Sequence, residues 1–180
     1  MLRSPEPARR QEGVAELEKI GGPDVRAVLS DILVADQDKF VRQNALHALA
    51  EMYGQDVSQL VVKVLRHDPE RRVRVSATKF LGKWKMVDAL SEALRDQGHT
   101  VRETAIECLG EAGIIDPVVR MLGDPEGEVR QVAAETLGRH GDRTVIPALE
   151  GLSADQDSYV RSAARTAIEA IEKRTTGLGG

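Results

Sequence analysis

Cysteine is almost missing from this 180-residue chain. Cys108 stands alone, so no intrachain disulfide can form and no cysteine cluster can hold zinc. Aromatic residues make up only 3% (Phe40, Tyr53, Phe80, Trp84 and Tyr159), which leaves the core to aliphatic side chains. No apolar run approaches the roughly 18 residues needed to cross a bilayer. Residues 1–10 lack the apolar middle of a secretory signal, and a cytoplasmic protein is expected. Excess positive charge is missing as well. With 25 basic and 29 acidic residues the net charge is −4, which argues against a protein coating nucleic acid or anionic membrane over its whole surface. What the chain does have is 41% hydrophobic and 30% charged residues, the balance of one domain or one short repeat array.

The array reading follows from internal repetition. Val-Arg recurs at Val41/Arg42, Val73/Arg74, Val101/Arg102, Val129/Arg130 and Val160/Arg161, in steps of 32, 28, 28 and 31 residues. An aspartate stands five positions before each valine: Asp36, Asp68, Asp96, Asp124 and Asp155. An alanine follows at +4 (Ala45, Ala77, Ala105, Ala133 and Ala164), and a branched aliphatic at +8 (Leu49, Leu81, Leu109, Leu137 and Ile168). Offsets 0, +4 and +8 trace one stripe of a 3.6-residue helix, here named helix A. The invariant alanine predicts the closest approach of neighbouring helices. The aspartate is suited to cap the helix N-terminus, and Pro69/Glu70 and Pro125/Glu126 fit the first turn behind it.

Glycines at 21, 54, 113 and 141 suit the C-terminal turn of helix A. A second apolar-periodic stretch, helix B, follows each turn, for example Val57, Leu60, Val61, Val64 and Leu65. No segment alternates as a strand would. A two-helix unit of this kind cannot bury its apolar face alone, so successive copies must stack. Residues 9–35 form a poorly matching first copy, with Arg9 and Gly13 in the valine and alanine slots. Copies follow at 36–67, 68–95, 96–123 and 124–154, then a half copy at 155–173 that offers Arg165, Glu169, Glu172 and Lys173 to water. The expectation is a single array over residues 1–174, with a disordered tail at 175–180.

The pattern Asp-(Pro)-acid-x-x-Val-Arg-x-x-Ala-x-x-x-Leu-Gly, a glycine turn and a second helix led by Pro or Val resembles HEAT-like repeats. It is most similar to the short, roughly 30-residue type named after phycobilisome lyases; residues 124–152 are the clearest copy. The resemblance implies an all-α, right-handed α-solenoid of about five and a half stacked two-helix repeats. It does not specify an activity. The signature residues of tetratricopeptide and ankyrin arrays are absent.

Each Asp–Arg column reads as a ladder, since helix side chains lean toward the N-terminus and each arginine can reach a capping aspartate of its own or the adjacent layer. Its members are Asp36, Arg42, Asp68, Arg74, Asp96, Arg102, Asp124, Arg130, Asp155 and Arg161. Exposed pairs of this type contribute about 0.2–1 kcal/mol each. A local basic excess lies at 63–85, with 8 basic against 2 acidic residues, while residues 96–180 hold 9 basic and 15 acidic. Lys63, Arg66 and Arg71 fall near one end of the helices and Lys83 and Lys85 near the other, so one continuous basic stripe is not expected. Trp84, at offset +11, reads as core or edge packing, and Cys108, at +7, as a small buried hydrophobe.

No histidine among His47, His67, His99 and His140 precedes a glutamate or has an i+4 partner, so neither a metal nor a cofactor is expected. HEAT-type deoxyhypusine hydroxylases hold iron with paired His-Glu motifs, which this chain lacks. The leading reading is a non-enzymatic module that binds a protein or peptide on the concave surface lined by B helices. Its candidate contact residues are Gln59, Lys63, Asp88, Ser91, Glu92, Arg95, Asp116 and Arg120, with Lys83, Trp84 and Lys85 at the basic turn. The resemblance implies an alternative, a bilin lyase-like subunit handling a tetrapyrrole on a phycobiliprotein. Polyanion or nucleic-acid binding through the basic repeats is a third reading, disfavoured by the acidic balance. No membrane partner is expected, and the chain is read as a monomer or an end-to-end homo-oligomer.

Overall fold

The computed structural model describes residues 1–176. Every regular element among them is helical. The A helices are α1 (Pro7–Ile20), α3 (Lys39–Tyr53), α5 (Arg71–Lys83), α7 (His99–Glu111), α9 (Gly127–His140) and α11 (Ser158–Thr176). The B helices are shorter: α2 (Pro23–Ala35), α4 (Ser58–His67), α6 (Val87–Ala93), α8 (Ile115–Arg120) and α10 (Ile146–Glu150). Local chemistry sets several boundaries. Pro7 and Pro23 occupy first-turn positions that need no N–H. Asp38 caps α3 by accepting from Phe40 and Val41 N–H. Gly21, Gly54 and Gly113 leave their helices with φ of 68°, 53° and 75°, a region costly for any residue with a Cβ. Gly141 differs, because its φ is −78°. There it is space that requires glycine, since a Cβ would lie 2.6 Å from Leu137 O.

The chain divides into two compact units, Met1–Trp84 and Lys85–Gly180, where the sequence predicts one array. The division falls inside the copy at 68–95, between its A helix and its B helix. Glycine is missing from that turn, and Lys85 takes the left-handed conformation instead, with φ of 54°, the only described non-glycine residue to do so. In the first unit α3 packs against α1 and α5, α2 against α3, and α4 against α5. In the second, α9 packs against α7 and α11, with α6 on α7, α8 on α7 and α9, and α10 on α11. Each unit is thus a short stack of helical hairpins.

The repeated apolar positions form the core of both stacks. Val41, Val73, Val101, Val129 and Val160 are fully buried, and the five +4 alanines are at most 2% exposed. Gly13 is also buried in the alanine slot of α1, closed over by Leu2. Neighbouring A helices also approach closely further along, at offset +9. A Cβ on Gly138 would stand 2.8 Å from the Ala167 Cα of the next A helix, a clash no rotamer change relieves. At the chain's far end α11 continues through Thr175 and Thr176, whose hydroxyls bond carbonyls one turn back. Residues 175 and 176, expected in a disordered tail, are therefore helical, and residues 177–180 lie outside the described residues.

Candidate functional site

The Asp–Arg ladder is present, with a different geometry from a simple N-cap. In four rungs an arginine forks onto the aspartate of the next layer, Nε and Nη2 donating to Oδ2 and Oδ1 over 2.7–2.9 Å: Arg10 to Asp36 and Arg42 to Asp68 in the first unit, Arg102 to Asp124 and Arg130 to Asp155 in the second. The third nitrogen of each fork turns inward. Arg42 Nη1 donates to the carbonyls of Asp36 and Gln37 in its own layer, and Arg74 Nη1 does the same to Asp68 and Pro69. One planar guanidinium therefore ties two layers at once, a task its fixed fork suits better than a lysine could. Arg161 keeps the inward bonds, to Asp155 and Gln156 carbonyls, but among the described residues no carboxylate meets its outer edge.

The aspartates lie two residues ahead of the cap position. Their Oδ1 accepts the N–H two residues on, as Asp68 does from Glu70, Asp96 from Gly98 and Asp124 from Glu126. This turns the corner between layers and aims the carboxylate at the preceding arginine. The rungs are also buried, with side chains of Arg42 and Asp68 only 7% and 5% exposed. The figure for exposed pairs does not apply. Removing one partner of a buried pair costs about 3 kcal/mol or more, because the other charge is stranded. The Arg10 and Arg130 guanidinium groups hold the Asp36 and Asp155 carboxyls below the usual carboxylate range.

The B-helix candidates lie on both units. In the first unit Gln59 and Lys63 are exposed on α4. Lys83 is exposed at the end of α5 and pairs with Glu51 at 3.0 Å. Trp84 is half-buried, its ring 5.8 Å from that of Phe80, as edge packing requires, and its carbonyl accepts from Gln55 Nε2. In the second unit Lys85, Asp88, Arg95, Asp116 and Arg120 are exposed, whereas Ser91 and Glu92 are half-buried. Aligning the buried Val61, Leu90 and Val118 puts Gln59, Asp88 and Asp116 in one slot, and Lys63, Glu92 and Arg120 in another. Cys108 is half-buried, not enclosed as its helical position suggested. Among the described residues no group of three His, Cys, Asp or Glu side chains is placed to hold a metal.

These features, hairpins repeated in register and tied by corner aspartates, meet a known pattern. A sequence profile described as HEAT repeats matches residues 1–82 and 87–169. The chain belongs to the HEAT-repeat family. Among solved structures, YibA of Escherichia coli is similar at a TM-score of 0.62 and 19% identity, over 96% of this chain and 78% of that one. A designed armadillo repeat protein in complex with the peptide (KR)4 gives 0.57 and 21%, over 94% and 96%. Human deoxyhypusine hydroxylase in complex with glycerol gives 0.56 and 19%, over 93% and 69%. At such identities the likeness is one of fold. No curated protein matches the chain.

The HEAT A helices carry a feature that the linear reading did not assemble. On α5, Arg72, Lys79 and Lys83 follow at i, i+7 and i+11 and are all exposed, so part of the basic excess does share one face. Beside them on α3, Phe40 stays 42% exposed, with Arg72 Cζ and Lys39 Nζ 5.8 and 5.7 Å from its ring centre. The corresponding face of the second unit carries Glu107 and Glu111 on α7 and Glu128 and Glu135 on α9, all exposed. Burial pushes the Glu103 carboxyl up, and Glu128 and Glu107 add to the effect. Helical spacing alone could have grouped these charges, had offsets −1, +6 and +10 of helix A been compared between copies.

Proposed function

We propose that this HEAT-repeat protein is a non-enzymatic interaction module that holds a protein or peptide partner on its B-helix faces. One observation carries the reading. Equivalent slots on successive B helices present polar side chains that packing does not use, Asp88 and Asp116 on α6 and α8 among them. Both α6 and α8 pack on α7, so a partner crossing the two B helices meets groups at a set spacing and loses little affinity to rearrangement. A segment with basic side chains suits the Asp88–Asp116 slot, while Lys63 and Gln59 on the first unit suit an acidic or neutral one. The similarity to a designed armadillo repeat protein in complex with a (KR)4 peptide supports this kind of use.

Selection of displayed peptides against the immobilised full chain tests the reading. Peptides are expected whose binding weakens at least about tenfold on Asp88→Lys with Asp116→Lys or on Lys63→Glu, with the melting temperature unchanged. Selected peptides that ignore both sets of changes, or no selected peptide at all, would contradict it.

A further inference from the structure

The groove between α9 and α11 is unlike its counterpart in the first unit. Between α3 and α5 the +7 residue is Phe80, whose ring packs edge-on against His47 at 4.9 Å and fills the groove. In α11 the +7 residue is Ala167, and Ala163 and Ala170 flank it. The result is an open groove of about 470 Å³ with Glu135 on its rim in the slot of His47. Its floor of small residues leaves open the position that Phe80 takes in the first unit. Arg139 and Tyr159 complete the rim, the former donating to Thr136 Oγ1.

The chain itself displays a side chain of that kind. Phe40 stands out from the basic face of the first unit between Lys39 and Arg72, and the groove opens on the face that carries Glu107, Glu128 and Glu135. Shape and charge are complementary, aromatic ring to apolar groove and cations to carboxylates. We infer that Phe40 of one copy inserts into the α9–α11 groove of a second copy, with Lys39 and Arg72 against the carboxylates of α7 and α9. The occupant is a second copy of this chain, and the contact uses A-helix faces, leaving the B-helix faces open to a partner. An association built around one anchor ring is weak, and its charged rim makes it salt-sensitive.

Sedimentation of the full chain from micromolar to millimolar concentration, at low and high salt, tests the inference. Self-association is expected at low salt, and Phe40→Ala and Ala163→Trp should each lower its constant at least about tenfold, with thermal melting recorded to show that both variants fold. Arg72→Glu and Glu135→Lys should each weaken it too, and a mixture of those two variants should associate more strongly than either alone. A chain that stays monomeric throughout would overturn the inference. Self-association that Phe40→Ala and Ala163→Trp leave unchanged, as in stacking through the ends, would overturn it equally.

Discussion

Phe80 closes the groove between α3 and α5, while Ala167 leaves the one between α9 and α11 open, and the faces around the two grooves carry opposite charge. Yet the positions beneath them are interchangeable. Val and Ala recur buried in both units, and Arg42 and Arg102 fork onto corner aspartates in the same way. The contrast separates two kinds of position on one helix. Those at 0, +1 and +4 are Val, Arg and Ala in all five matching copies, with Val and Ala buried each time. Those at −1, +6 and +10 are nearly all exposed and differ between the two units.

The largest expected effect comes from violating a shared position. Ala105→Arg puts a long cation into a fully buried site and should cost more than about 4 kcal/mol. Hydrogen exchange should show protection lost in α7 and α9 first, since stability in a stack is a sum over neighbours. Unchanged exchange would mean that the alanines are not the packing points. Next in size is Phe80→Ala, expected to cost about 3 kcal/mol and to open in the first unit a groove like that of the second. Chemical denaturation measures the loss.

The rungs rank beside it. Arg42→Ala and Arg102→Ala should each lose about 3 kcal/mol, one in each unit, whereas Arg161→Ala, at an exposed arginine with no described carboxylate partner, should lose under about 1 kcal/mol. Equal losses at all three would show that the inward carbonyl bonds, not the forks, hold the layers.

The smallest effects are electrostatic and opposite in sign. Asp36 and Asp155 are held below the ordinary value of 3.8. Their contribution to stability is complete above that value and is lost as pH falls through it toward the folded value. Glu103 is raised above its ordinary 4.5, so its ionised form costs stability at neutral pH and the cost is relieved as pH falls through the folded value. Glu103→Gln should therefore raise the melting temperature at neutral pH by about 2 °C. That gain should vanish once pH is below the ordinary glutamate value. A gain that persists in acid would mean the effect is not ionisation.

Much of the fold was legible because its constraints repeat. Five copies of Val, Ala and a branched aliphatic at fixed offsets admit one helical face, and the structure buries it except at Ile168, which is half-buried. The first rung was not legible, since Ser4, Arg9 and Gly13 replace the aspartate, valine and alanine around Arg10. In sequence the aspartates suit a cap and a corner equally, because an acid before a helix satisfies both arrangements; only the position of the neighbouring layer distinguishes them. The division at Trp84–Lys85 carries no glycine to announce it. On the surface, spacing identified exposed B-helix positions such as Asp88 and Asp116, but it could not show that Phe40 projects beside Arg72, a side chain 32 residues further on.

The central claim is that, within each unit, buried guanidinium–carboxylate forks bind one layer to the next. A double-mutant cycle of Arg130→Ala and Asp155→Ala, read by equilibrium denaturation of the second unit, measures that bond directly. The account predicts a coupling of about 2 kcal/mol or more. Losses that simply add, within about 0.5 kcal/mol, would show that the two side chains are neighbours without being partners.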